Sequence, residues 1–365
     1  MAMREYFIGL MSGTSTDGVD AVLCTICETE KIKILGHEYL EFNDDLRSRI
    51  LNLNEPAFDE ITESQLVSVE LAKISAQCIA NLLFKLNLKP THIKAIGAHG
   101  QTIRHDPKAG YSLQLNNPSL LSELAQIDVV ADFRNADISV GGQGAPLVPA
   151  FHSYLFESHM PTAILNLGGF ANISILNGND IFGYDIGPCN ALMDLWINTH
   201  KGENYDDSGK WGASGHCHEV LLEKLLSYKY FSMPAPKSTG RDEFNLAWLM
   251  KYLEEVGEIE AVNVMSTLRE MVVSTIHKSV SELSSEIKII YVCGGGVYNQ
   301  ALMSGLNRKS ERRFISVQEI GVDPMTVEAM AFAWLAYMNL NKKPLNLTKI
   351  TGAKRPKILG SYYPH

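Results

Sequence analysis

Apolar positions along this chain follow two periods, and the periods alternate. Residues 4–11, 19–27 and 31–42 carry short apolar or alternating runs separated by turn residues. Such runs predict three strands joined as an antiparallel meander. Thr62, Glu63, Ser64 and Gln65 then form a capping-box pattern. Beyond it Leu66, Val69, Ala72, Ala76, Ile79, Leu83 and Leu86 recur at steps of three and four, which predicts a helix over 62–87 with one apolar stripe. Residues 93–98 read as a strand and 112–115 as extended chain. Asn117 and Pro118 open a helix to residue 126, and 128–131 is again strand.

The order then recurs. Residues 162–165 read as a strand, 166–172 as a glycine turn, and 173–176 and 181–184 as strands. A helix is expected to open at 185–188 and run to 199. After a long insertion come a strand at 288–293, a helix from 298, a strand at 314–317 and a last helix over 325–338. Both halves read strand, strand, strand, helix, strand, helix, strand, although their sequences are not alike. The fold class is therefore α/β, built from two similar units facing one ligand cleft. The expected divisions are 1–137, 138–345 and a tail over 346–365 that packs back on the first domain. The stretch 141–149, rich in glycine and proline, reads as the link between the units and a candidate hinge.

Composition narrows the classes. The chain has 365 residues, with 45% hydrophobic and 20% charged residues, values ordinary for a globular protein of about two domains. A net charge of −9 argues against bulk nucleic-acid or anionic-membrane binding. No apolar run reads as a membrane span, and no secretory signal is expected. The six cysteines are scattered; Cys24 and Cys27 form a lone CxxC with no second pair to complete a zinc site. A reduced, cytoplasmic setting fits.

The candidate chemistry lies in the turns. Ser12, Gly13, Thr14, Ser15, Thr16, Asp17 and Gly18 sit between the first two strands, with Asp20 just beyond. Glycines let backbone N–H groups approach a ligand, hydroxyls suit an anion, and Asp17 can hold a cation beside it. An ordinary polar turn is the competing reading. Asn166, Gly168 and Gly169 hold the equivalent turn of the second half. Gly294, Gly295 and Gly296 follow a strand and precede a helix, a place for the nucleoside end of ATP or merely for close packing. Asp185, at a strand end, is a candidate general base or a helix cap. His99 is a donor to a ligand hydroxyl or a loop tie. Arg134, between Asp132 and Asp137, offers a fork to a carboxylate or phosphate, or a local ion pair. Glu328 stands in the first turn of the last helix, where acids also serve the dipole. The polar stretch 204–215 reads as a surface loop, and 237–244 as a lid or a solvated turn.

Seven motifs, in order, then point to one family: 11–20, 97–102, 131–134, 141–149, 166–169, 183–188 and 293–296. Together they closely resemble the anhydro-N-acetylmuramic acid kinases, over about residues 6–338, a family of the sugar-kinase, actin and heat-shock-chaperone superfamily. The resemblance implies two ribonuclease-H-like domains flanking an ATP-binding cleft. It implies an ATP-dependent phosphotransferase of cell-wall (murein) recycling. By that resemblance the enzyme would open the 1,6-anhydro bridge with water and phosphorylate O6, giving N-acetylmuramic acid 6-phosphate and ADP. Residue by residue it implies Asp185 as the base for water and Thr14, His99, Arg134, Asp185 and Glu328 as sugar contacts. The turns at 12–18, Asp20, Asn166, Gly168, Gly169 and 294–296 would hold the nucleotide. Mg²⁺ is implied, with Asp17, Asp20 and Asp185 all conceivable near it. The partners are small molecules, with a homodimer allowed. One departure is Ile186, where the family pattern has Thr. A conventional sugar hydroxyl kinase and a non-catalytic ATP- or sugar-binding regulator of the same fold are the alternatives.

Overall fold

The computed structural model describes residues 4–13, 15–28, 31–178, 180–235, 237–241, 243–308 and 310–365. The chain divides into two units, Met1–Glu157 with Thr326–His365, and Ser158–Met325. The first unit begins with strands β1 (Glu5–Met11), β2 (Gly18–Ile26) and β3 (Lys33–Glu41), followed by helices α1 (Asp44–Asn52) and α2 (Glu60–Lys85). Then come β4 (Ile93–Ala98), β5 (Gln101–Asp106), β6 (Tyr111–Leu115), α3 (Pro118–Ala125), β7 (Val129–Ala131), α4 (Phe133–Ile138) and α5 (Val148–Leu155). The second unit holds β8 (Thr162–Leu167), β9 (Phe170–Asn177), β10 (Asp180–Pro188) and α6 (Asn190–Lys201). It continues with α7 (Lys210–Ser214), α8 (Glu219–Leu226), α9 (Leu246–Val256), α10 (Ala261–Ser281), β11 (Ile289–Cys293), α11 (Gln300–Arg308) and β12 (Arg313–Ser316). The chain returns to the first unit with α12 (Val327–Leu340) and β13 (Ser361–Tyr363).

The two main sheets share one order. In the first it is β13-β7-β4-β1-β2-β3; in the second, β10-β9-β8-β11-β12. In each, three antiparallel strands are followed by two parallel additions beside the first strand. This is the ribonuclease-H-like order, used twice, as the repeat in the sequence predicts. β13 pairs antiparallel with β7 and covers what would otherwise be a sheet edge.

Several expectations are corrected. Helix α12 belongs to the first unit rather than to a second domain over 138–345, because its apolar surface packs on β1, β2 and β4. Its approach is unusually close. A Cβ on Gly9 would lie 1.7 Å from the Ala329 carbonyl oxygen, and one on Gly97 would lie 2.0 Å from that of Phe332. The stretch 141–149 also lies inside the first unit, tied to Asp137 and Thr351, so it is no linker. The chain passes between units at 157–158 and at 325–326.

Helix α2 starts at Glu60, so the capping box at Thr62 is not its terminus; Thr62 Oγ1 instead donates to Asp59 Oδ1 at 2.7 Å. Its buried stripe is Val67, Leu71, Ala72, Cys78, Ile79, Leu82 and Leu83, and Leu66 is exposed. Contrary to the sequence reading, α2 has the length and apolar composition of a membrane-crossing helix, yet its buried face is part of the first unit's core. The helix after β10 begins only at Asn190.

Candidate active site

The β1–β2 turn is built from inside. Ser12, 6% exposed, places its Oγ 2.9 Å from the Gly18 carbonyl and 2.5 Å from Gln101 Oε1; one hydroxyl hydrogen serves the two acceptors. Gln101 Nε2 donates to the Gly13 carbonyl at 3.2 Å. Thr16, in the left-handed region at φ 56°, donates its N–H to the same carbonyl at 3.2 Å. Ser15 Oγ donates to Asp17 Oδ1 at 2.6 Å at the exposed tip. Thr14 lies outside the described residues. The glycines divide by role. A Cβ on Gly18 would collide with the Leu40 carbonyl and the Tyr39 ring at 2.6 Å, so that glycine is needed for packing. A Cβ on Gly13 would meet nothing nearer than Ser15 Oγ at 3.8 Å, which leaves room for a ligand against the backbone. Asp20 is occupied otherwise, its Oδ1 2.7 Å from His37 Nε2.

The same unit gathers His99, Arg134 and Glu328. His99 follows β4, and its backbone N–H donates to the Leu10 carbonyl at the end of β1. Arg134, in the first turn of α4, donates from Nε to His99 Nε2 at 3.0 Å and from Nη1 to the Gly144 carbonyl at 2.9 Å. Accepting at Nε2 fixes the His99 tautomer with its proton on Nδ1, which is buried without a hydrogen-bond partner. Burial first, and the Arg134 guanidinium second, hold His99 well below the ordinary imidazole range, against backbone groups of Gly100 and Ser12. His99 is thus held as a neutral imidazole with its N–H at Nδ1. Its ring packs on Phe332 at 4.8 Å. Glu328 stands one helical turn before Phe332, on the same face of α12.

In the second unit Asp185 lies within β10, opposite Asn172 of β9, where the register shifts before Gly187. The helix-cap reading fails there. The cap of α6 is Cys189, and the first free N–H groups of the helix are taken by the carbonyls of Gly168 and Gly169. Asp185 is held by the polar segment that begins at Lys237. Its N–H donates to the Lys237 carbonyl at 3.1 Å, and its Oδ2 accepts from the Thr239 N–H at 3.2 Å. Its carbonyl accepts from Tyr230 at 2.7 Å. Within the stretch 237–244, Lys237 and Thr239 back Asp185 rather than forming a freely solvated turn, and Asp242 lies outside the described residues. Ile186 is 1% exposed and part of the apolar core, so the departure from Thr alters the core.

The remaining glycines also separate. Gly294 and Gly296 are packing positions, since added Cβ atoms would strike Asn166 Oδ1 at 2.3 Å and Leu167 Cβ at 2.5 Å. Gly168 and Gly295 are open. Asn166 is a hairpin residue paired with Asn172, whereas the turn itself is only Gly168 and Gly169.

The model of the family described as anhydro-N-acetylmuramic acid kinase matches residues 5–365. The chain belongs to the anhydro-N-acetylmuramic acid kinase family. A kinase of this name from Pseudomonas fluorescens (strain Pf0-1) is 46% identical over 362 residues, 98% of this chain and 99% of the relative. One from Pseudomonas savastanoi pv. phaseolicola is 43% identical over 365 residues, 99% of this chain and all of the relative. Among solved structures, component A of the (R)-2-hydroxyglutaryl-CoA dehydratase of Acidaminococcus fermentans aligns with TM-score 0.49 and 9% identity over 92% of this chain and 99% of that one. As a member of the anhydro-N-acetylmuramic acid kinases, the protein is a phosphotransferase of murein recycling, and kinase activity implies ATP.

The buried histidines of this kinase set its acid sensitivity. Burial lowers His152 to about 3, and His99 is held low as well. Below the unfolded imidazole value of about 6.5 the unfolded chain takes up protons that the folded chain refuses. Stability is therefore complete above that pH and falls as pH drops. Denaturant unfolding at pH 7 and pH 5.5 should differ by about 2 kcal/mol, and His152→Gln should roughly halve that slope. A flat profile in the parent protein would rule this account out.

Proposed function

We propose that this kinase opens 1,6-anhydro-N-acetylmuramic acid with water and phosphorylates O6 in one reaction, with Asp185 as general base. Asp185 takes a proton from water, and the water oxygen attacks C1. The C1–O6 bond breaks, its electron pair stays on O6, and O6 attacks the γ-phosphorus of ATP. The bond to the bridging oxygen breaks and ADP leaves. The reading rests above all on Asp185, a carboxylate inside a strand that is not spent on capping α6. Thr239 and Lys237 fix its position, which a general base requires before its pKa matters.

The turn over 12–18, with its open Gly13, holds the phosphates in this reading, and Gly168 and Gly295 hold the rest of the nucleotide. His99, through Nδ1, Arg134 and Glu328 hold the sugar, Arg134 being suited to the lactyl carboxylate. Among the described residues no three His, Cys, Asp or Glu side chains could together hold a metal. Mg²⁺ bound with ATP needs only one or two carboxylates, the rest being phosphate oxygens and water. Asp17, at the exposed tip, fits that need; Asp20 is paired with His37. Bound there, the ion would neutralise charge on the phosphates. Five of the six cysteines are buried thiols, in keeping with a reducing compartment.

The competing reading is a conventional kinase in which Asp185 deprotonates a sugar hydroxyl. Turnover in heavy-oxygen water decides between them. Label at C1 of the product is expected. Unlabelled product, with the anhydro bridge intact, would overturn the hydrolytic route.

A further inference from the structure

Arg134 is not positioned by α4 alone. Its Nη1 bonds the Gly144 carbonyl at 2.9 Å, and Gly144 is itself held from below. The Gly144 N–H donates to Asp137 Oδ2 at 2.8 Å. The other oxygen of Asp137 accepts from Thr351 Oγ1 at 2.9 Å. Asp137 and Thr351 are each 1% exposed. A Cβ on Gly142 would lie 2.1 Å from Asp137 Oδ2, so the chain must be glycine there to wrap the carboxylate. Thr351 also accepts the Gln143 N–H at its carbonyl, at 2.9 Å, and the Lys354 N–H bonds the Val140 carbonyl at 2.9 Å. The segment after α12 is thus fastened at three points, to Asp137 of α4 and to Val140 and Gln143 of the loop after it, whose Gly144 carbonyl holds Arg134.

We propose that Asp137 and Thr351 are positioning residues for the sugar site, with the segment after α12 setting the reach of Arg134 through the Gly144 carbonyl. The proposal rests on the reading of Arg134 as a sugar contact. One relay runs from Thr351 through Asp137, Gly144 and Arg134 to His99, and every link is a hydrogen bond of 3.0 Å or less. The buried carboxylate is well matched to this task. It accepts from the loop and the tail together; burial pushes its carboxyl up, while the Gly144 N–H, the Thr351 hydroxyl and the Arg134 charge act to lower it.

Steady-state kinetics on four single variants and one double variant of the full chain test this. Thr351→Val removes one hydroxyl and keeps the side-chain shape. It is expected to raise KM for the anhydro sugar by about tenfold, with kcat and KM for ATP within about twofold. Thr351→Ser, which keeps the hydroxyl, should restore the sugar KM. Asp137→Asn should raise the sugar KM further. Arg134→Ala should raise it most, and Thr351→Val added to Arg134→Ala should have little further effect, because the two act through one chain of contacts. A lower melting temperature for Thr351→Val with unchanged sugar KM would reduce the clamp to a fold contact and overturn the proposal. Equal rises in the KM for sugar and for ATP would overturn it too. If Arg134→Ala leaves the sugar KM unchanged, the sugar role of Arg134 falls first and the proposal with it. If Arg134→Ala raises KM while Thr351→Val and Asp137→Asn do not, the proposal alone falls.

Discussion

Asp185→Asn is expected to lower kcat by about a thousandfold or more and to leave the affinity for ATP within about twofold. The reason is local. An amide cannot accept the proton that water must lose, so the step on which the base acts loses its acceptor. The substitution preserves the surroundings. The Asn carbonyl oxygen can take the Thr239 N–H now bonded to Oδ2. The hydrogen bonds with Lys237 and Tyr230 use only the Asp185 backbone and are kept. Folding should therefore be near normal, and a melting curve separates lost chemistry from lost structure. Turnover that survives within about tenfold, or about 1.4 kcal/mol of barrier, would remove Asp185 from the role of base. Calorimetric titration with a non-hydrolysable ATP analogue gives the second arm. Loss of nucleotide binding in step with kcat would mean that Asp185 serves the nucleotide site instead.

How far the sequence anticipates this site depends on what each element is made of. Strand β4 (Ile93–Ala98) is legible to the residue, because a run apolar but for Lys94 is bounded by polar chain. Helix α3 is equally clear, since Asn117 caps it by accepting the Leu120 N–H and Pro118 starts it. The repeat of strand order is visible as well, and it carries the positions of the glycine turns. Helix α4 escapes notice, because six residues are too few to display a period and its entry is Asp132 in a left-handed conformation. Strand β5 is hidden by its polar residues Gln101, Thr102, Arg104, His105 and Asp106, which pair in a separate two-stranded sheet. Along α2 the stripe slips because burial follows the sheet beneath, and Leu66 points outward. The site residues His99, Arg134 and Asp185 stand out by type and by place at element ends. Asp137 is visible only as a neighbour of Arg134, and Thr239 and Thr351 do not stand out, since their roles arise from contacts between segments 54 and 214 positions apart. The return of α12 to the first unit is of the same kind. The sequence displays an apolar helix, and only the sheet it meets decides where it belongs.

Gly9→Ala should cost at least ~3 kcal/mol, lowering the melting temperature by about 6–12 °C or preventing soluble expression. Gly9 on β1 and Gly97 on β4 are partners in the parallel register, so two adjacent strands are bare at one spot. Helix α12 uses that gap, with Ala329, Ala333 and Ala336 facing it. The new methyl of Gly9→Ala would lie 1.7 Å from the Ala329 carbonyl oxygen and 2.7 Å from the Ala333 nitrogen, both backbone atoms that no rotamer can move. The helix must lift, and Glu328 and Phe332 lift with it. Phe332 packs on His99, so the sugar side should suffer along with stability. Gly13→Ala provides the contrast. Its methyl meets only Ser15 Oγ at 3.8 Å, and Gly13 does not require a positive φ. Melting should shift by no more than ~2 °C. The KM for ATP should nonetheless rise severalfold, because a Cβ then occupies the space through which phosphate oxygens reach the backbone N–H groups. The pair separates two reasons for a glycine: one position is closed by the protein itself, the other kept open for a ligand. Melting temperatures that fall equally in both variants would dissolve that distinction. A Gly13→Ala enzyme with unchanged KM for ATP would move the phosphates away from the β1–β2 turn.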